Sequence, residues 1–441
     1  MMHFARQDID DLLVLERGEG PYVFDTTGKR YIDALSSLFC AQIGYSYGEE
    51  MAAAVSDQLA RLPFNTNWAT AHPASIELAE RLGALAPGGE ARVFFTNGGS
   101  ESVEVAWKLI REHFVARGEP RRAKVIARDV AYHGVTLGAL AMTGVARFKD
   151  DFGPAPIDVW HVSTTNAFRA PDGDDPKAFC DRLLNEVEEA ILDAGPDQVA
   201  LIIAEPVQNA GGCIVAPPGY WPGLRSLADR YGALLMADEV ITGFGRIGEW
   251  FAISREGVVP DLISVAKGLT SAYAPMGAVL AQPHVVEPLI AAGRTFRHGI
   301  TFGGHPLSAA VALKNIEIFE RDGLLDNVRT LQGHLHQRLD TLRSLPIVGD
   351  VRGAGFFWAV ELVKDDRNTR FAPAERDRLL RDYLPRRLRD VGLIARLDDR
   401  GDSVFHIAPP LISDRALLDE IVDLMATVLT GSGEHMRLRA A

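Results

Sequence analysis

The sequence predicts an α/β protein: a large domain on a mostly parallel central sheet, followed by a smaller α+β unit. Three features predict it. Short, nearly uninterrupted apolar runs recur between residues 92 and 267, each ends on a polar or glycine-rich step, and stretches with helical spacing lie between them. Runs of this kind suit strands buried on both faces of a parallel sheet. Beyond residue 326 the pattern changes to long charged helices and shorter strands. The boundaries expected from the pattern are 60–325 for the large domain and 326–441 for the α+β unit.

The first strand, Arg92-Val-Phe-Phe-Thr96, runs into Asn97-Gly98-Gly99-Ser100. A helix is predicted to follow, because Val103, Ala106, Trp107 and Ile110 repeat at the i, i+3, i+4, i+7 spacing of a buried face. Gly98 and Gly99 let the backbone approach an anion, the free N–H groups of a helix start favour negative charge, and Ser100 adds a hydroxyl. An ordinary strand-to-helix turn also uses Gly and Ser. Next comes Lys124-Val-Ile-Ala-Arg-Asp-Val-Ala-Tyr132-His133-Gly134, where Tyr132 could lie flat on a ring that Gly134 lets come close. Pro171 to Pro176 reads as a turn-rich surface loop. The run Val199-Ala-Leu-Ile-Ile-Ala then delivers Glu205 to the same edge.

Two further runs end on charge: Ala233-Leu-Leu-Met-Ala-Asp238 and Asp261-Leu-Ile-Ser-Val-Ala-Lys267. In open α/β sheets the carboxyl ends of the strands face the ligand crevice. A lysine there, in low dielectric, can lose its proton and become an imine-forming amine. A neighbouring aspartate can partner a cationic ring nitrogen, and together they are what pyridoxal phosphate requires of a protein. A Lys or an Asp at a strand end is ordinarily just where the chain meets water. The cofactor reading rests on five strand ends converging with a Gly-Gly-Ser, a Tyr-His-Gly, a Glu, an Asp and a Lys.

In the small unit a Leu-spaced helix is expected at 327–342, a strand at 351–362, a helix at 373–391 and a strand beginning at Val404. Gly243-Phe-Gly-Arg-Ile-Gly248 matches a dinucleotide fingerprint, but Gly257 and Pro260 leave no room for the crossover helix that the fingerprint should open. A nicotinamide dehydrogenase is thereby disfavoured.

The net charge of −13 argues against nucleic-acid and anionic-membrane partners, which call for clustered Lys and Arg. Cys40, Cys180 and Cys213 are scattered, so neither a disulfide framework nor a metal site is indicated. The acids in Met1 to Asp11 stand where a signal peptide would need an apolar core, and no apolar run approaches membrane-spanning length. A cytoplasmic protein is expected.

The set Phe94-Phe-Thr-Asn-Gly-Gly-Ser-Glu, Tyr132-His-Gly, Glu205-Pro-Val-Gln208, Asp238-Glu-Val-Ile-Thr-Gly-Phe-Gly-Arg246, Lys267-Gly-Leu-Thr and His298-Gly-Ile-Thr301-Phe-Gly-Gly-His-Pro306 resembles the class III, or omega, aminotransferases of PLP fold type I. The motifs stand in family order, from Tyr22 near the start to Pro409-Pro-Leu-Ile near the end, and the resemblance implies that residues 1–59 join 326–441 in the small domain. The resemblance implies that Lys267 carries the cofactor and later moves the proton, that Asp238 keeps the ring nitrogen protonated, and that Tyr132 and Val240 cover the two ring faces. It further implies that Gly98, Gly99 and Ser100 hold the phosphate, with Thr301 reaching it from the partner of a homodimer whose active sites are shared. Gln208 would sit near the ring's phenolic oxygen, Glu205 would orient the network, and His133 and Gly134 would flank the cofactor.

Scaffolds of this family also host decarboxylases, racemases and an aminomutase, and the ring-binding residues do not separate these. Arg396 falls where relatives acting on both amines and keto acids carry a carboxylate-pairing arginine, and a surface arginine in a charged stretch is an equal reading. Phe39, Trp68 and Tyr132 are expected around the substrate, Phe39 standing where many relatives have tryptophan. Asn209 after Gln208 departs from the ornithine-type pattern. The activity expected is amino transfer from an amine or omega-amino acid to pyruvate or a similar keto acid, with an isomerase or lyase on the same cofactor as the alternative.

Overall fold

A computed structural model describes residues 12–173 and 175–436. Met1 to Asp11, on which the expectation of a leaderless start rests, lie outside the described residues, as does Asp174 of the predicted surface loop.

The core is a seven-stranded sheet in the order Arg92–Thr96, Gly277–Ala281, Leu262–Val265, Leu234–Asp238, Val199–Ala204, Lys124–Arg128, Val159–Val162. Gly277–Ala281 runs antiparallel to both of its neighbours, and the other adjacent pairs are parallel. The continuous apolar runs are explained by burial on two faces. Leu234 and Met236 enter one core with Val103, Ile110 and Phe114, whereas Leu235 and Ala237 enter the other with Phe179, Leu183 and Trp221. Successive strand residues point to opposite faces, so both faces must be apolar when helices cover both. The helix Gly99–Ala116 covers the first; Pro176–Ala194 and Tyr220–Tyr231 cover the second.

Two strands of this sheet were not expected. Gly277–Ala281 is made largely of small residues with weak strand preference, and the reason lies in its neighbours. A Cβ on Gly277 would stand 2.6 Å from Thr96 Oγ1, 2.8 Å from Ser102 Oγ and 2.9 Å from the Val265 carbonyl. Only glycine lets this strand slot between the two site-bearing ones. Val159–Val162 is a short edge strand carrying Trp160 and His161.

The chain ends meet in a separate four-stranded sheet, where Leu393–Ile394 pairs in parallel with Arg30–Asp33. A second four-stranded sheet holds Val348–Ala354, Phe357–Leu362, Val404–Ile407 and Arg396–Asp398. The single strand expected over 351–362 is therefore two. Gly355, at φ +56°, turns the chain into a hairpin, a backbone region that glycine enters without steric cost. The helix expected over 373–391 is interrupted by a π segment, Arg378–Tyr383, before Leu384–Val391. Pro385 has no N–H to bond one turn back, and the widened turn accommodates that loss. The helix expected from 327 spans Leu324–Asp340.

The fingerprint-like glycines form a hairpin rather than a helix start: Phe244 N–H donates to the Trp250 carbonyl and Gly245 N–H to that of Glu249. Between them Arg246 is fully buried, donating to the Phe356 and Pro409 carbonyls and to Ser36 and Gln42. Burial lowers its pKa to about 9. Among the described residues no helix is long and apolar enough to cross a membrane.

Candidate active site

The carboxyl ends of the sheet open on a cavity of about 430 Å³. Its wall takes Asn97 to Ser100 from the first strand end, Tyr132 to Gly134 from the second, Glu205 and Val207 from the third, Asp238 and Val240 from the fourth, and Lys267 from the fifth. Ten residues expected at the site thus converge: Gly98, Gly99, Ser100, Tyr132, His133, Gly134, Glu205, Asp238, Val240 and Lys267.

Lys267 follows Leu262–Val265 and adopts φ +41°, an uncommon conformation for a residue with a Cβ. Its turn is tight because Gly268 packs under Gln42 and Phe244; a Cβ there would come within 2.8 Å of Gln42 Nε2. Burial pushes the Lys267 amine below the usual lysine value. Cys40, Asp238 and Glu205 oppose that shift, and the Arg396 charge reinforces it.

Asp238 is positioned by strand register, which sets it directly beside Ser264. Its Oδ1 accepts from Ser264 Oγ at 2.9 Å and from the Val240 N–H at 3.2 Å, while Oδ2 lies 2.7 Å from His133 Nδ1. His133 Nε2 is buried without a hydrogen-bond partner. Glu205 ties two loops together, Oε1 accepting from the Tyr132 N–H at 3.1 Å and Oε2 from the Asn209 N–H at 2.9 Å. Burial raises its pKa, and the His133 and Arg128 charges work against that rise.

The start of Gly99–Ala116 forms a cup. A Cβ on Gly99 would lie 2.9 Å from Val240 Cγ1; one on Gly134, which sits at φ +132°, would lie 2.6 Å from Ser100 Oγ. Ser100 Oγ accepts from the Val135 N–H at 3.1 Å, locking the two loops edge to edge. Unpaired N–H groups at the start of a long helix, lined by glycine and a hydroxyl, can hold a phosphate or another anion.

Five expected residues do not line this cavity. Phe39 adopts φ +62° and turns inward, 1% exposed, against Phe357 and His406 with ring centroids 5.5 and 6.3 Å away. Cys40 lines the cavity in its place. Gln208 is buried, with Nε2 donating to the Asp129 and Ala210 carbonyls at 3.2 Å each. Trp68 is 67% exposed and borders a separate apolar hollow with Phe94 and Phe296. Thr301 is exposed. Arg396 begins the strand Arg396–Asp398 and is half-buried, outside the wall yet close enough for its charge to be felt at Lys267.

Ser264 went unread, although a serine inside an otherwise apolar run was a signal that something polar needed a partner. Cys40, Val207 and Met276 are also wall residues the sequence did not single out; their small or apolar side chains give no chemical cue.

Residues 3–429 match the family described as aminotransferase class-III. The chain is 49% identical to a probable aminotransferase, Rv3329, of Mycobacterium tuberculosis, over 98% of this chain and 93% of the relative. It is 38% identical to the putrescine–pyruvate aminotransferase of Pseudomonas aeruginosa, over 93% of this chain and 89% of that one. Its fold is similar to that of a thermostable (S)-enantioselective omega-transaminase from Thermomicrobium roseum, with a TM-score of 0.92 and 38% identity over 98% of this chain and 96% of that structure.

Proposed function

The chain belongs to the class-III aminotransferases, and from that membership we propose that it moves an amino group from an amine or omega-amino acid to pyruvate or a similar keto acid. The family match and the transaminase relatives make this protein a transaminase that works with pyridoxal phosphate. The site fits such a group on two observations. Gly99 and Gly134 leave a cradle that a Cβ would fill, and Asp238, with three donors fixing its carboxylate, borders the same cavity as Lys267.

Bound there, pyridoxal phosphate supplies the electron sink for the substrate carbon that gives up its proton. Gly98, Gly99 and Ser100 hold the phosphate through backbone N–H groups and a hydroxyl. Asp238 holds a proton on the ring nitrogen, and His133 and Ser264 fix the carboxylate for that purpose. Tyr132 and Val240, both in the cavity wall, would confine the ring between them. Glu205 keeps Tyr132 and Asn209 in register, and Gln208 acts from behind by fastening the loop that follows. Lys267 Nζ, biased toward its neutral form by burial, would be the amine that holds the cofactor and would accept the proton given up by the substrate carbon.

The substrate reading rests on Arg396, an underpaired cation at the approach to the cavity that can pair with the carboxylate of a keto acid. The putrescine–pyruvate aminotransferase among the relatives supports the same reading. Thr301, exposed in one chain, is read as reaching the phosphate of a partner in a homodimer. We read residues 60–325 as the cofactor-binding domain and the two chain ends as the small one, supported by the pairing of Leu393–Ile394 with Arg30–Asp33. A cytoplasmic location is supported by three cysteines that are all free.

The test is the holoenzyme with an amine donor, with and without pyruvate. Alanine should accumulate in step with loss of the donor, and only when pyruvate is present. Donor conversion that needs no keto acid and yields no alanine would instead favour the isomerase or decarboxylase reading.

A further inference from the structure

Arg396, Asp398 and Arg400 stand on one short segment, and the two arginines do not share the aspartate equally. Arg400 takes it over. Its Nε lies 2.9 and 2.8 Å from the two carboxylate oxygens, its Nη2 bonds Oδ2 as well, and its own backbone N–H donates to Oδ1 at 3.0 Å. The side chains of Arg400 and Asp398 are 4% and 2% exposed, so this is an enclosed, fork-to-carboxylate pair. Burial pushes the Asp398 carboxyl up, but the Arg400 contact overrides this and holds it well below the usual carboxylate range. Arg396 is left with a remainder. Its Nε stands 3.8 Å from Asp398 Oδ2, beyond hydrogen-bond reach, and is buried without a partner. Burial and the Arg400 charge push the Arg396 pKa down, and the charges of Asp398, Tyr132 and Asp399 oppose that shift without cancelling it. The same guanidinium also lies over Tyr132, its carbon 5.4 Å from the centroid of that ring in the cavity wall.

From this asymmetry we infer that Arg400 is a specificity-determining positioning residue: by saturating Asp398 it keeps Arg396 free to pair with the carboxylate of an incoming keto acid or omega-amino acid. The inference rests on the reading of Arg396 given above. Without Arg400, Asp398 keeps His406 Nε2 at 3.6 Å, but burial lowers that imidazole's pKa to about 3, so it stays neutral and Arg396 is the nearest remaining cation. Arg396 would close the 3.8 Å gap and form the charge-assisted pair itself. A substrate carboxylate would then have to compete with a buried aspartate, whereas an uncharged amine would not.

The experiment compares the holoenzyme with Arg400→Gln, Arg400→Lys, Arg396→Ala and the double variant Arg396→Ala/Arg400→Gln. Two single-turnover half-reactions are read: a phenylalkylamine onto the loaded enzyme, and pyruvate onto the aminated enzyme. Arg400→Gln should raise the pyruvate concentration for half-saturation about five- to tenfold, the scale of one lost charge-assisted contact at a partly exposed site. The limiting rate and the amine half-reaction should move less than about twofold. Arg400→Lys, which holds Asp398 through a point charge instead of a fork, should recover most of the loss. In the Arg396→Ala background, Arg400→Gln should add nothing, because the effect acts through Arg396.

If Arg396→Ala itself leaves pyruvate saturation unchanged, the reading of Arg396 fails and takes the inference with it. If Arg396→Ala weakens pyruvate but Arg400→Gln does not, or weakens both half-reactions alike, or is as harmful in the double variant as alone, the inference alone is overturned. Should Arg400→Gln not fold, Arg400→Lys carries the test, with a two- to threefold rise expected in the pyruvate arm only and no rise overturning the idea.

Discussion

Asp238 illustrates how a site residue is made by its neighbours. Register supplies Ser264, the following turn supplies the Val240 N–H, and a loop two strands away supplies His133. Asp238→Asn should keep the fold and still bind cofactor, since volume and shape are conserved. Turnover should fall about a hundredfold or more, because a neutral amide cannot offset the charge of a protonated ring nitrogen. Steady-state kinetics on the cofactor-saturated variant measures this, and near-normal turnover would assign the task to another group. At this scale Lys267 and Asp238 were legible because each breaks an apolar run. Phe39 was not, because its placement depends on a left-handed backbone angle, φ +62°, that aromatic residues seldom adopt and periodicity does not report.

Between elements, the site depends on three strand-end loops that meet where Gly99 and Gly134 leave room for the Val240 and Ser100 side chains. Gly134→Ala adds a Cβ at φ +132° and 2.6 Å from Ser100 Oγ, so both conformation and space oppose it. The strain, about 1 to 3 kcal/mol, should fall on the phosphate cup and leave the seven-stranded sheet intact. Titration of the apoenzyme with pyridoxal phosphate should show affinity reduced at least about fivefold with an unchanged far-ultraviolet spectrum. Unaltered affinity would remove Gly134 from the cup. The five strands that carry the site were readable from apolar runs. The hairpin at Gly355 and the π segment before Leu384–Val391 were not, since each is set by how a neighbouring element accommodates one turn.

Across the whole molecule, one stretch of exposed apolar surface stands beside the site-bearing sheet. Trp68 and Phe302 are 67% and 57% exposed, and an apolar hollow of about 710 Å³ lies beside Trp68, Phe94 and Phe296. Apolar surface of that extent favours a partner, and a second copy agrees with the homodimer proposed above. Light scattering should give twice the chain mass of 48.1 kDa. Thr301→Ala should weaken cofactor retention without dissociating the dimer, as loss of one phosphate contact would; a cofactor-saturated, active monomer would contradict the shared site. The pairing of the two chain ends was expected from the resemblance rather than from periodicity, because Leu393–Ile394 is too short to announce itself as a strand.

The central claim is that Lys267 is the amine that carries the cofactor. Borohydride reduction of the purified holoenzyme, followed by proteolysis and mass analysis of the labelled peptide, tests it most directly. The account expects the pyridoxyl mark on Lys267 and on no other lysine. A mark confined to a different lysine, with Lys267 unmodified, would contradict it.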